Sequence, residues 1–351
     1  MVTKIRNASH LRTNNIRVML KELLKHQPIS RSELARKLRV SPSTISQILK
    51  PFMERRIIVE TMPGTSTGGR PPLLLSMNPE SVYVLAIDLS SYQSRIALVN
   101  PVLEIVLSEQ IELDHNIIPG LEKISNVILK LFEKIKIDET SLLGVCIGIS
   151  GVLDPKTGRL SSGLIKDIEN VRLAEFFKKR IPFHKNIYIE NDANLAALGE
   201  FMNIEDEVDN MIYIHLGDGL GGAIVANKNI FHGDRGYAGE IGKMVYCMKP
   251  LTTVGDVYEN IRCNMNQESL VEFENLLFCL IQNIISSIDI SQVIIGGNTD
   301  PLTDEMIMRL EKRVREFLYG FDVCIRKSKS HRNSLLTGAA QYLLEREIPK
   351  L

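Results

Sequence analysis

Cysteine is scarce in this chain and unpaired in sequence: the five, at 146, 247, 263, 279 and 324, are an odd number with no Cys-x-x-Cys spacing. That argues against a disulfide framework and fits a reducing compartment, where most of them are expected to be buried hydrophobes. Long apolar runs are lacking too. No stretch approaches the roughly 18 residues of a membrane span, and Met1 to His10 is polar and charged without a signal-peptide core, so no membrane and a cytoplasmic location are expected. Acidic residues are few at the start: residues 1–72 hold four Glu and no Asp against 14 Lys or Arg. The whole chain balances at 42 basic and 42 acidic groups, so residues 73–351 carry 28 basic and 38 acidic. A basic head suits phosphate contacts through counterion release, although a solvated basic helix face gives the same balance. An acidic body is repelled by the same backbone and is expected to stand off DNA. Internal repeats and low-complexity tracts are absent, and 351 residues leave room for two or three domains.

What is present begins with three helical patterns. Asn14 or Asn15 can cap a first helix carrying Ile16, Leu20, Leu23 and Leu24, which Gln27-Pro28 ends. Ser30 with Glu33 three residues on forms a capping box for a second, whose buried stripe is Leu34, Ala35 and Leu38. Ser41-Pro42 then opens a third with Ile45, Ile48, Leu49 and Phe52 inward, leaving Ser43, Thr44, Gln47 and Lys50 outward. Small and amide-bearing residues near a helix start are where a recognition helix meets base edges and phosphates, so Ser41, Ser43, Thr44, Gln47 and Lys50 are the candidate DNA contacts. Ile57-Ile58-Val59-Glu60 and Leu73-Leu74-Leu75 suit two short strands around Gly64, Gly68, Gly69 and Arg70. This reads as the wing of a winged helix-turn-helix, with Arg70 reaching a minor groove; a plain linker is the other reading of residues 68–72.

From residue 82 the pattern turns α/β. Strands are expected at 82–88, 95–99 and 105–110, a helix at 119–134 and a buried central strand at 142–149. A second set follows: strand 187–189, helix 193–202, strands 211–216 and 223–226, a helix near 269–288 and strand 293–295. Two such sets imply two lobes with a ligand cleft between them. The expected domains are 1–76 for the DNA-binding head, 77–190 for a first lobe completed by helix 334–347, and 191–333 for a second lobe with sugar-site and dimerisation elements.

The segment Ile189-Glu190-Asn191-Asp192-Ala193-Asn194-Leu195-Ala196-Ala197-Leu198-Gly199-Glu200 and the segment Gly236-Tyr237-Ala238-Gly239-Glu240-Ile241-Gly242 resemble the signatures of the ROK family of repressors, open reading frames and kinases. With the basic head and the Gly69-Arg70-Pro71-Pro72 wing, the resemblance runs over nearly the whole chain and is to the xylose- and N-acetylglucosamine-type repressors. It implies an actin-like body of the sugar kinase type, two α/β lobes around a sugar. It also implies that Asn191, Asp192, Glu240 and Glu259 contact sugar hydroxyls, with Asp192 in the place of the kinases' general base. Carboxylates and amides suit a polyol because each accepts or donates in a fixed direction. Taken from residues alone, Asn191-Asp192 reads equally as a cap on the following helix.

Departures from the family pattern carry as much meaning. Its kinases place Asp-x-Gly-Gly-Thr on the phosphates; here the loop is Asp88-Leu89-Ser90-Ser91-Tyr92. The second phosphate loop, usually Gly-Thr-Gly, is Gly217-Asp218-Gly219-Leu220-Gly221-Gly222, which sets a carboxylate toward like charge. Gly296-Gly297 keeps the nucleotide-side glycine pair. Phosphoryl transfer depends on positioning and charge neutralisation, so ATP binding and kinase activity are not expected, and no catalytic residue is assigned. A family zinc site of one His and three Cys is not expected either, because Lys243 replaces the histidine and only Cys247 follows in 244–256. Lys243 has three readings: a donor to a hydroxyl, a receptor for an acidic or phosphorylated sugar, or a partner for a neighbouring carboxylate. The expected function is a sugar-responsive regulator, a repressor of carbohydrate-utilisation genes, with operator DNA, a sugar effector and a homodimer or higher homo-oligomer as partners. An active sugar kinase that binds DNA and a regulator governed by a protein partner are the alternatives.

Overall fold

The computed structural model describes residues 8–63, 73–113, 117–161, 163–183, 185–204, 208–330 and 333–351. The head begins with α1 (Ala8–His26), a two-residue β1 (Ile29–Ser30) and α2 (Arg31–Leu38). It continues with α3 (Pro42–Glu54), β2 (Ile58–Pro63) and β3 (Leu73–Met77). Ser30 caps α2 through a complete capping box with Glu33, and Ser41 caps α3 by accepting the Thr44 amide, with Pro42 at the first helical position. Asn14 and Asn15, expected as caps, lie inside α1, which starts at Ala8. Strands β2 and β3 pair antiparallel and β1 adds to the other edge of β3, the small sheet of a winged helix-turn-helix. The tip that would carry Arg70 lies outside the described residues.

Two five-stranded sheets form the body. The first contains β4 (Tyr83–Leu89), β5 (Gln93–Val99), β6 (Ile105–Glu112), β7 (Leu142–Ile149) and β10 (Ile187–Asn191), with α4 (Ile117–Lys134) and α5 (Leu173–Lys178) in its connections. A small ribbon, β8 (Val152–Leu153) and β9 (Leu160–Ser161), follows β7. The second sheet contains β11 (Met211–Leu216), β12 (Leu220–Ala226), β13 (Asn229–Ile230), β16 (Gln292–Gly297) and β17 (Cys324–Lys327). Both follow one plan: an antiparallel meander whose first strand continues into two parallel strands, giving orders β6-β5-β4-β7-β10 and β13-β12-β11-β16-β17. Each central strand is buried on both faces, which is why 142–149 reads as a continuous apolar run.

Helix α6 (Asp192–Met202) leaves β10 and packs against α10 (Ser334–Glu347). Between them come the hairpin β14 (Val245–Met248) and β15 (Leu251–Thr253), then α7 (Val254–Cys263), α8 (Gln267–Ile288) and α9 (Asp304–Phe317). Helix α8 is long and apolar enough to cross a membrane by length and composition, but Phe273, Leu276, Leu277, Leu280 and Ile281 lie in the core of the second lobe, which accounts for its apolarity. The cysteine expectation needs correcting. Only Cys146 is buried; Cys247, in the hairpin, and Cys263, at the end of α7, are exposed, and Cys279 and Cys324 are half-buried.

The α6–α10 crossing relies on glycine. A Cβ at Gly338 would lie 1.8 Å from the Leu195 carbonyl oxygen and one at Gly199 2.1 Å from that of Ser334, so the backbones meet with no room for a methyl group. Gly338→Ala is therefore expected to lower stability by about 3 kcal/mol, the upper end of overpacking costs, read as a fall in the urea midpoint.

The head is docked on this body. Lys21 Nζ lies 3.3 Å from Glu345 of α10 and donates to the Lys228 carbonyl at 2.9 Å and Asn229 Oδ1 at 2.6 Å in the β12–β13 turn. Lys228 answers with an ion pair to Glu22 at 2.7 Å, and Lys25 sits 4.8 Å over the Phe201 ring of α6. Part of the head's positive charge thus faces the acidic body. Helix α1 is held by the second sheet's turn and the first lobe's closing helix together.

Candidate functional site

The cleft is built where β10 meets α6. Asn191 caps the helix: its Oδ1 accepts the Asn194 amide at 3.0 Å and its Nδ2 donates to the Gly151 carbonyl at 3.0 Å. Both readings of this residue hold together, since it caps α6 and also lines the cavity. Asp192 follows at the first helical position, 9% exposed, accepting the Ala193 amide at 2.8 Å. Burial, then the charges of Asp88 and Glu240, push its carboxyl up to about 7. It is poised between acceptor and donor at neutral pH, an arrangement that suits a group meeting hydroxyls.

Asn191, Asp192, Glu240, Lys243 and Glu259 all line one cavity of about 870 Å³ between the lobes, within the roughly 300–1,000 Å³ of small-molecule sites. Glu240 precedes and Lys243 ends a 3₁₀ turn, Ile241–Lys243. Burial raises the Glu240 carboxyl while the Lys243 charge opposes that rise. Glu259 enters from the exposed face of α7. The charged lining counts Asp192, Asp218, Glu240, Asp256 and Glu259 against Lys243 and Arg262. His215 adds no positive charge near neutral pH, for burial pushes it down to about 4. The cavity is therefore acidic in balance, and Lys243 acts beside Glu240.

On the phosphate side of the cleft, both loops are tied to the protein itself. The Ser90 hydroxyl and amide donate to Asp88 Oδ1 at 2.6 and 3.0 Å, and burial raises that carboxyl. Ser91 and Tyr92 line the cavity beside Ser90, and the Tyr92 phenol accepts the Lys166 amide at 3.3 Å. In the second loop, Tyr258 donates to the Gly217 carbonyl at 3.1 Å and Arg262 lies 3.7 Å from Asp218. Asp218, expected to set a carboxylate toward phosphate, lines the cavity with a cation of α7 beside it. Gly219, Gly221 and Gly297 line the same cavity, whereas Gly296 does not and sits against the Tyr213 ring. The residues present do not fit the family's zinc. Cys247 is exposed, its thiol donating to the Lys249 carbonyl at 3.6 Å, and among the described residues no three His, Cys, Asp or Glu converge.

In the head, Ser43, Gln47 and Lys50 are exposed along α3 and Thr44 is half-exposed. Ser41 is committed to its cap, with hydroxyl contacts to Ser43 at 2.7 Å and Thr44 at 2.9 Å, so the helix start is a closed hydroxyl cluster. Lys50 lies 3.9 Å from Glu54, an exposed and weak pair.

Sequence reasoning assigned no role to Glu190, His232, Tyr258 or Arg262. Glu190 stands inside the quoted signature, and its burial is the signal that sequence could not supply. Its carboxylate accepts the Asn191 amide, the Asn194 side chain and His232 Nε2, all within 2.9 Å.

Comparison with known proteins matches residues 84–263 to the model of the ROK family and residues 12–59 to that of winged helix-turn-helix DNA-binding domains. The xylose repressor of Caldicellulosiruptor bescii is 28% identical over 312 residues, spanning 87% of this chain and 75% of that protein. The DNA-binding transcriptional dual regulator NagC of Escherichia coli K12 is 23% identical over 241 residues, 68% of this chain and 59% of that one. A solved ROK-family transcriptional regulator, a homologue of the E. coli MLC protein, superposes with a TM-score of 0.74 at 18% identity, covering 97% of this chain and 98% of the other. The two sheets of one plan are thus the lobes of an actin-like sugar-kinase fold.

Proposed function

The chain belongs to the ROK family, and on that premise we propose that it is a sugar-responsive transcriptional regulator, a repressor whose degenerate kinase body senses the effector. One observation carries this reading: the cavity holding Asn191, Asp192, Glu240, Lys243 and Glu259 occurs in the chain whose DNA-binding head is clasped by both lobes. A ligand that alters the angle between the lobes acts on α1 from two sides. In a homodimer this shifts the spacing of two α3 helices against operator half-sites about one helical turn apart. Loops tied by Asp88–Ser90, Tyr258–Gly217 and Arg262–Asp218 support a sensor without ATP turnover, because phosphate would have to displace these internal partners. The acidic lining favours an uncharged sugar over a phosphorylated one.

Thermal denaturation of the full chain across D-xylose, D-glucose, N-acetyl-D-glucosamine and their phosphate esters tests the ligand. A free sugar is expected to raise the midpoint by mass action, its ester less, and a flat response to the whole panel contradicts the reading. Coupling has its own test. Lys228→Met is expected to leave sugar affinity intact while the effect of sugar on operator binding, typically about 5–150-fold in coupled systems, falls toward unity. Undiminished coupling would exclude the clasp as the route.

One observation favours kinase activity: Asp192, in the position of the family's base, has a carboxyl near 7. An ATP-coupled assay decides it. Turnover lost in Asp192→Asn would establish an enzyme and overturn the sensor-only reading.

A further inference from the structure

Glu190 divides its carboxylate between the two halves of the ligand cavity. Oε1 accepts the Asn191 amide and the Asn194 side chain, each at 2.9 Å, which fixes the turn of chain presenting Asn191 and Asp192. Oε2 takes His232 Nε2 at 2.8 Å. His232 opens the loop that ends at Glu240, and its carbonyl accepts the Ala238 amide at 3.4 Å. That loop has little freedom of its own, since a Cβ at Gly236 would meet the Leu153 carbonyl oxygen at 2.1 Å and one at Gly239 the Gly222 oxygen at 2.5 Å. Glu190 is 3% exposed, so the pair is shielded from solvent on the carboxylate side.

We propose that His232, acting through Glu190, is a positioning residue for the ligand: the pair sets the distance between the Asn191–Asp192 corner and Glu240. This rests on the sugar-sensor reading above. A charge-assisted bond to a buried carboxylate is directional and strong, and no other hydrogen bond of Glu190 reaches the Glu240 loop among the described residues. The other titratable or charged groups near Glu190 are Tyr342, which hydrogen-bonds it, Cys146, whose thiol burial pushes up, and Arg346, stacked 3.3 Å over the Tyr342 ring. Burial opposes ionisation of Glu190, yet the His232 bond and charge with the Asn194 and Asn191 bonds hold its carboxyl below the usual range. The pair is a directional bond between a buried carboxylate and an imidazole, and its loss frees the Glu240 loop from the Asn191–Asp192 corner. Protonation of Asp192, whose carboxyl is raised to about 7, weakens ligand binding on the acid side.

Calorimetric titration of D-xylose and N-acetyl-D-glucosamine into the full chain, from pH 5.5 to 8.5, tests this on His232→Leu and His232→Gln. The leucine variant is expected to bind at least about tenfold more weakly. The glutamine variant, which keeps a donor without a charge, recovers part of that loss, and both variants keep the parent's acid-side fall in affinity. Operator affinity without sugar stays that of the parent chain in both. Equal sugar affinity in all three proteins, or no recovery in His232→Gln relative to His232→Leu, overturns the inference and leaves the sensor reading standing. If the parent chain binds neither of these sugars and nothing else in the panel above, the sensor reading fails and the inference with it.

Discussion

Asp192→Ala is expected to raise the dissociation constant for the sugar at least about 100-fold, with operator binding of the ligand-free protein unchanged. A carboxylate accepting hydroxyl protons contributes about 1.5–3 kcal/mol per bond. Loss of two such bonds corresponds to a factor of about 100 or more. Asp192 is buried at the helix start and lines the cavity, and none of the head's described residues lines it, so the deletion reaches the ligand and not α3. Its ionisation adds a sign that runs against habit. The folded-state carboxyl is raised from 3.8 to about 7, so the folded state binds the proton more tightly than the unfolded one and this group's contribution to stability is lost as pH rises through 7. Asp192→Asn, which removes the buried charge and keeps the shape, should therefore raise the thermal midpoint of the ligand-free protein at pH 8, by more than at pH 5, while sugar affinity falls. A variant less stable at pH 8 than the parent would show that Asp192 is not held against its charge. Calorimetry and thermal denaturation on one preparation read both effects.

Glu200→Ala should have the largest effect on stability, about 3–5 kcal/mol, because each buried donor left without its acceptor costs about 1–3 kcal/mol. Glu200 closes α6, 2% exposed, and accepts the Ser328 hydroxyl at 2.7 Å, the Lys329 and Ser330 amides at 3.0 Å and the Ser334 hydroxyl at 2.5 Å. One carboxylate thereby fixes the turn that launches α10 across α6, beside the glycine-on-backbone contacts of Gly199 and Gly338. Without it these four donors lose the carboxylate that they share. Against a typical total of about 5–15 kcal/mol, such a loss leaves little of the fold. Denaturant unfolding is the measurement: the midpoint falls with an unchanged slope. A loss under about 1 kcal/mol would mean that water replaces the carboxylate and the joint is softer than described.

What could be read from the sequence was local. The Ser30–Glu33 box and the Ser41-Pro42 start are written within four residues, and both stand in the structure. The apolar run 142–149 and the Asn191-Asp192 strand end were legible for the same reason, each being a short pattern with one physical meaning. Long-range partnerships were not. Arg262, which lies beside Asp218, is 44 residues from it, and His232 is 42 residues from Glu190, so neither pairing could be read locally. The cysteines were misjudged because a thiol's burial depends on which face of α7 or which edge of β14 it occupies. Charge counting rightly separated a basic head from an acidic body, but it could not tell that Lys21 and Lys25 turn toward that body. The common strand order of the two sheets was invisible as well, because pairing between distant strands leaves no mark on either strand's own sequence.

The central claim, that the kinase-like body senses a sugar and the winged helix reports it, is tested most directly by one titration. A fluorescent operator duplex, selected from random sequence with the full chain, is held half-saturated while D-xylose, D-glucose or N-acetyl-D-glucosamine is added. The account predicts that a sugar shown to bind lowers operator affinity by about 5–150-fold, and that Asp192→Ala removes the response. Operator affinity unmoved by a sugar that demonstrably occupies the cleft would contradict it.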